Sequence, residues 1–212
     1  FIDENVLDKK SLIAGLSANI HVVALDDKTD VLDQIATVLD GYQNLDAIHI
    51  ISHGAEGELA FSNGTLTNTN INNYASQLKR MGSALSTTGD LLLYGCNVAK
   101  GDDGLAFINT LSALTGADVA ASNDITGKLG DWVFEATTGQ INTDISKVIQ
   151  NNYQYDLANI NGTINNDYLI GTKDRDNISG GRGNDTIYGG EGDDNLNGDQ
   201  DDDSLYGGDG SD

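Results

Sequence analysis

Apolar residues in this chain follow two rhythms. Up to about residue 157, short apolar runs alternate with stripes at helical spacing; beyond it, single apolar residues return every nine positions. The runs occupy residues 20–25, 46–51, 91–94, 117–122 and 131–135. Short apolar runs bounded by glycine or acidic residues read as buried strands, and Phe1-Ile2-Asp3 reads as the end of another. The stripes are Val31, Leu32, Ile35, Val38 and Leu39; then Ile71, Tyr74, Ala75, Leu78, Met81 and Leu85; then Leu105, Phe107, Ile108, Leu111 and Leu114. Each starts beside a capping residue: Thr29 or Asp30, Thr69 or Asn70, Asp102 or Asp103. Gly41 and Gly116 end the first and third. Leu7, Leu12 and Leu16 suggest a short helix near the start. Leu59, Phe61 and Leu66 alternate around Asn63-Gly64, a hairpin signal. Strand and helix alternating in this way predict a three-layer α/β domain with a mostly parallel sheet over residues 1–157.

From about Ala158 the pattern becomes a nonapeptide repeat. Asp167, Asp176, Asp185, Asp194, Asp203 and Asp212 stand in strict register. So do Leu169, Ile178, Ile187, Leu196 and Leu205, and a glycine phase runs from Gly162 through Gly171, Gly180, Gly189 and Gly198 to Gly207. Each repeat offers a glycine-rich turn, one carboxylate and one inward apolar residue. Such repeats stack as a parallel β-roll with a thin core over residues 158–212. Carboxylates plus turn carbonyls form a hard oxygen cage, which suits Ca²⁺ better than zinc. Gly181, Gly183, Gly190 and Gly192 supply the turns, since glycine adopts their dihedrals and lets carbonyls face an ion. The repeat near Asn161 is degenerate, with Thr163, Ile164 and Asn165 in its turn, and Lys173 and Arg175 interrupt the next. An acidic disordered tail is the alternative, but it would not keep aspartates and apolar residues in phase. An EF-hand at Asp199 fails, because Ser204 and Gly210 stand where glycine and glutamate are required.

Charge and cysteine count narrow the chemistry. With 11 basic against 33 acidic residues and a formal charge of −22, the balance disfavours nucleic acid and anionic membranes as partners and favours cations, metal ions and basic substrates. A single cysteine rules out an internal disulfide and a Cys-rich zinc site. No apolar run has the length of a membrane span, and the first residues carry no signal-peptide pattern. The chain reads as a piece of a longer protein, and its lack of proline has no functional explanation.

Two of the runs end in reactive groups. One closes on His53-Gly54, the other on Gly95-Cys96. If the strands are neighbours, imidazole and thiol leave the same sheet edge, where open α/β sheets collect their chemistry. A thiol near pKa 8.5 needs a base or a positive field. His53 could supply that, or protonate a leaving amine, and the N–H groups of Gly54 and Cys96 could face an oxyanion. His21 and His49 lie inside apolar runs and read as buried, hydrogen-bonded side chains. Taken singly, Cys96 could be a small apolar core residue and His53 a turn histidine.

These residues resemble two families. The nonapeptides are similar to the RTX calcium-binding repeats of secreted bacterial proteins. There two nonapeptides make one coil, which implies ions between Asp167/Asp185, Asp176/Asp194, Asp185/Asp203 and Asp194/Asp212. A run ending in His-Gly followed by a run ending in Cys resembles the caspase-like cysteine peptidases: caspases, metacaspases, gingipains, clostripain and separases. Their dyad would map onto His53 and Cys96, and their oxyanion amides onto Gly54 and Cys96. Residues 1–140 are also similar to an uncharacterised domain of very long bacterial surface and secreted proteins, through residues 47–54, 92–99, 115–122 and Gly130-Asp131-Trp132. Gly95 stands where caspase-like enzymes usually have alanine, and no arginine matches a pocket for acidic P1. The resemblance to clostripain and metacaspases instead implies an acidic pocket for basic P1, with Asp124 as its candidate.

The resulting expectation is a secreted bacterial cysteine endopeptidase, calcium-dependent through its β-roll. It would act on peptide or protein substrates, with its own polypeptide among the candidates. The rival is a calcium-binding adhesive or sorting module that keeps the fold without catalysis. A serine hydrolase is weaker, for want of a Gly-x-Ser-x-Gly elbow.

Overall fold

The computed structural model describes residues 1–13, 16, 19–127, 132–143, 160–161, 166–171 and 176–212. The chain divides into two compact units, Phe1–Leu157 and Ala158–Asp212.

In the first unit the apolar runs become a sheet. β1 (Leu45–Ile51), β5 (Leu85–Tyr94) and β6 (Asp118–Ala121) are parallel neighbours in that order, and β7 (Ala136–Thr137) closes the edge antiparallel to β6. On the other side of β1, Ile2 bridges Ile51 and Ala24, both in parallel. The predicted strand at 20–25 is therefore reduced to one bridging residue, and that at 1–3 likewise. The predicted strand at 131–135 is displaced: Asp131 lies outside the described residues, and pairing begins at Ala136.

α2 (Val31–Leu39) starts where its cap predicts, with the Asp30 carboxylate accepting from the N–H groups of Leu32 and Asp33. The next stripe is split into a 3₁₀ turn (Ile71–Tyr74) and α3 (Ala75–Ala84), and Leu85 passes to the strand. Asn70 occupies the N-cap position of the 3₁₀ turn, but its side chain makes no cap bond and instead accepts from Thr67 N and donates to Thr65 O. α4 (Gly101–Thr115) is capped by the Lys100 backbone, with Asp102 and Asp103 in its first turn, where carboxylates favour the positive end of the helix dipole. Gly116, at φ 76°, ends it in the left-handed conformation. α1 (Lys9–Ile13) is one turn long.

Ile35, Leu78, Met81, Phe107 and Leu111 from these helices pack with Ile48, Ile50, Leu91, Leu93 and Val119 from the strands into one core. All three longer helices thus join one face of the sheet. On the opposite face Tyr94 meets Trp132 and Phe134, with ring centroids 5.9 and 4.8 Å away, so among the described residues the three longer helices lie on one face and an aromatic cover on the other. There His49 Nδ1 and the Tyr94 hydroxyl lie 3.0 Å apart. Burial pushes the His49 imidazole down to about 4 and the Tyr94 phenol up.

The second unit is a two-sheet parallel coil. β8 (Ile160–Asn161), β10 (Asn177–Ser179) and β12 (Asn195–Asn197) form one sheet. β9 (Tyr168–Ile170), β11 (Thr186–Glu191) and β13 (Ser204–Asp209) form the other. Partners such as Ile178 and Leu196 or Thr186 and Ser204 are two nonapeptides apart, so two repeats make one turn of the roll. Its core is slight: Ile178 and Ile187 are 1% and 0% exposed, whereas Leu205 is 43% exposed.

Candidate functional site

The first candidate site lies beyond the carboxyl ends of β1 and β5. Ile51 pairs with Tyr94, and Ser52 N donates to Tyr94 O at 3.1 Å, so the chains leave the sheet side by side. The strand order reverses between Ile2 and β1, a place where open α/β sheets leave a crevice. His53 is not the last residue of β1 but the first of β2 (His53–Ala55), which pairs antiparallel with β3 (Glu58–Phe61) and then β4 (Gly64–Thr67). The predicted hairpin is thus a three-stranded meander. Gly54 is pressed against the other strand end: a Cβ there would come within 2.6 Å of Val98 Cγ2 and 3.0 Å of Cys96 O. Only glycine fits so close an approach without a shift of backbone.

Half-buried His53 has its Nε2 3.4 Å from Asn5 O. Asn5 is held in turn by Asp3, a buried carboxylate that accepts from Asn5 N at 3.0 Å and from the Ser62 N–H and hydroxyl. Nothing in the sequence marks this support from near the start of the chain: Asp3, followed by Glu4, reads only as the end of a strand. Cys96 lies at the end of its apolar run, and there it is 0% exposed rather than open to a substrate. Its sulfur accepts from Thr126 N at 3.0 Å and donates to Thr126 O at 3.4 Å, while the Thr126 hydroxyl donates to Gly95 O. Residues 122–126 run along the Cys96 loop and cover it, through Asn97 N to Asp124 O at 2.7 Å and Ala99 N to Ser122 O at 2.9 Å. Asp124 is exposed, and its carboxylate accepts from Ser122 Oγ. The structure therefore brings His53, Gly54, Cys96 and Asp124 to one end of the sheet, with the sulfur turned inward.

The second candidate site is the aspartate ladder of the roll. Each aspartate takes the backbone N–H of the one eighteen residues earlier: Asp185 from Asp167 and Asp194 from Asp176 at 2.8 Å, Asp203 from Asp185 at 2.9 Å, and Asp212 from Asp194 at 3.0 Å. Those are the four pairs that the resemblance to RTX repeats implies. In each case one carboxylate oxygen is used, and the other faces a glycine. A Cβ on Gly180 would lie 2.4 Å from Asp185 Oδ2 and 2.7 Å from Gly198 O; on Gly189, 2.3 Å from Asp194 Oδ2 and 2.5 Å from Gly207 O. Asp185 Oδ2 is buried without a hydrogen-bond partner, a costly state for a carboxylate unless a cation meets it. Gly181, Gly183, Gly190 and Gly192 all have φ between 98° and 117°, as turns aiming carbonyls require. Among the described residues no three His, Cys, Asp or Glu side chains converge, so a cation here draws on carbonyls as well as carboxylates, the donor set of calcium. Gly162, residues 163–165, Lys173 and Arg175 lie outside the described residues, as do Gly130 and Asp131.

The family model described as Domain of unknown function (DUF4347) matches residues 1–157. The model described as RTX calcium-binding nonapeptide repeat (4 copies) matches residues 161–196 and 188–212. No curated protein and no solved structure matches the chain. RTX nonapeptide repeats bind calcium ions, and they are typical of secreted bacterial proteins. Among the described residues no helix is long and apolar enough to cross a membrane.

Proposed function

We propose, for a chain that belongs to the DUF4347 family and carries RTX calcium-binding repeats, that the first unit is a cysteine endopeptidase and that calcium binding by the repeats supports its activity. One observation carries the reading: at adjacent parallel strand ends, Gly54 packs on the Gly95–Cys96 backbone, so His53 and Cys96 flank a single junction. In this mechanism Cys96 attacks the scissile carbonyl, and the N–H groups of Gly54 and Cys96 hold the oxyanion. His53 moves the proton to the leaving amine, and water releases the acyl-enzyme. Asn5 O, held by Asp3, orients the imidazole. Asp124 at the same rim would favour a basic P1 residue, and the protein's own polypeptide is a candidate substrate. For attack, the thiol must first leave its hydrogen bonds with Thr126.

The decisive assay compares the wild type with Cys96→Ala on fluorogenic peptides ending in Arg or Lys, in millimolar calcium and in EGTA. Turnover lost in Cys96→Ala and reduced by EGTA supports the proposal. Equal rates with and without calcium reject the coupling, and equal rates for both proteins reject the dyad.

Complete burial of Cys96 favours a second reading, a calcium-binding adhesive or sorting module with no substrate. Iodoacetamide separates the two. A poised thiol reacts quickly near neutral pH and slows in His53→Ala; a structural one reacts slowly in both.

A further inference from the structure

Along the outer face of the second sheet of the roll stand three tyrosines. Tyr168, Tyr188 and Tyr206 are 66%, 36% and 51% exposed. Tyr188 and Tyr206 are direct partners in the parallel register of β11 and β13, their ring centroids are 4.7 Å apart and their planes differ by 10°. Tyr168 pairs with Thr186 rather than with Tyr188, and its ring stands 5.4 Å from that of Tyr188 at 51°. The 188–206 rung is held in place from inside the roll, because Asp185 N donates to Asp203 at 2.9 Å and Ser204 N donates to Asp185 O at 2.8 Å. Two phenols are thus kept face to face at the surface. Meanwhile the only cysteine and the only methionine, Cys96 and Met81, are both fully buried, so the sulfur groups that usually intercept oxidants are shielded.

We infer that Tyr188 and Tyr206 form an oxidative cross-linking site, at which a peroxidase-type one-electron oxidant joins them as dityrosine and staples two successive coils. Each phenol gives up one electron and one proton, and the two phenoxyl radicals couple through the ring carbons beside the oxygens. Each coupled ring then shifts its remaining ring hydrogen to oxygen and regains its phenol. One hydrogen peroxide takes up the two electrons and two protons and leaves as two waters. Tyr168, tilted and off the rung, is not a member of the pair.

The test treats the full chain, in millimolar calcium, with a haem peroxidase and hydrogen peroxide. Dityrosine is read by its blue fluorescence, and the joined peptides by mass spectrometry after proteolysis. The expected product is a monomer lighter by two hydrogens, with Tyr188 linked to Tyr206. That link is lost in Tyr206→Phe, kept in Tyr168→Phe, and lost when the wild type is oxidised in urea. Circular dichroism of each variant in calcium shows that the roll is still folded. Undiminished yield in folded Tyr206→Phe, undiminished yield in urea, or products joining only separate chains would overturn the assignment.

Discussion

The two units bury their interiors by different means. In residues 1–157 three helices and a parallel sheet enclose Leu78, Met81, Leu91, Leu93, Phe107 and Val119, all essentially inaccessible. In the roll the fully buried aliphatic residues among those described are Ile178 and Ile187 alone, with Leu169 and Leu196 half-buried and the carboxylates of Asp176, Asp185 and Asp194 buried beside them. A buried large aliphatic or aromatic side chain contributes about 1.5–3 kcal/mol, so the roll gains little from its core and carries the cost of buried acids such as Asp185. Hydrophobic burial sustains the first unit. The second is expected to depend on the calcium its repeats bind, since a ligand taken only by the folded state stabilises it.

The largest test of that contrast is calcium removal. With EGTA the roll is expected to unfold while the α/β unit stays folded. Hydrogen exchange checks it: the amides of Asp176, Asp185 and Asp194 lose protection, and those of Leu91 and Leu93 keep it. The mirror experiment is Phe107→Ala, a cavity under α4. It should lower the stability of the first unit by about 3–5 kcal/mol, read as a urea midpoint that calcium does not restore.

A third test is specific to the α/β unit. His49 is held near 4 by burial, below its ordinary 6.5. The unfolded chain therefore binds the extra proton first. The stability contributed by keeping His49 neutral is complete above pH 6.5 and is lost as pH falls from there towards 4, up to about 3 kcal/mol. Urea midpoints from pH 7 to 5 should fall in the wild type and fall less in His49→Gln. The smallest effect is expected from Asp185→Asn, which keeps an oxygen for the Asp167 amide but removes the charge. Calorimetry should show one class of calcium sites weakened about tenfold, roughly 1.4 kcal/mol, with the first unit unchanged.

Legibility differed between the two units in the same way as their physics. The nonapeptide period gives the phase of the aspartates, and the resemblance to RTX repeats, with two nonapeptides to a coil, implies that Asp167 meets Asp185 and Asp176 meets Asp194, because a coil of fixed length turns sequence distance into spatial neighbours. In the α/β unit the helices and central strands were readable from apolar spacing, but their ends were not. Lys100 rather than Asp102 caps α4, Leu85 belongs to β5, and residues 20–25 yield a single bridge. Those outcomes depend on what each segment meets across the fold, and local preference is only a weak guide there.

Apolar and acidic periodicity carries the alternation of strand and helix and the phase of the acidic ladder, whereas the neighbouring exits of His53 and Cys96 rest on the parallel pairing of β1 with β5, which no local signal states. Which way the reactive groups turn is set by contacts across the fold. The Cys96 sulfur points inward because Thr126, thirty residues on, offers it both a donor and an acceptor. His53 is tied to Asn5, forty-eight residues back, through a turn that Asp3 holds. Past the last ladder bond no local period governs a side chain, and contacts between distant segments set its direction.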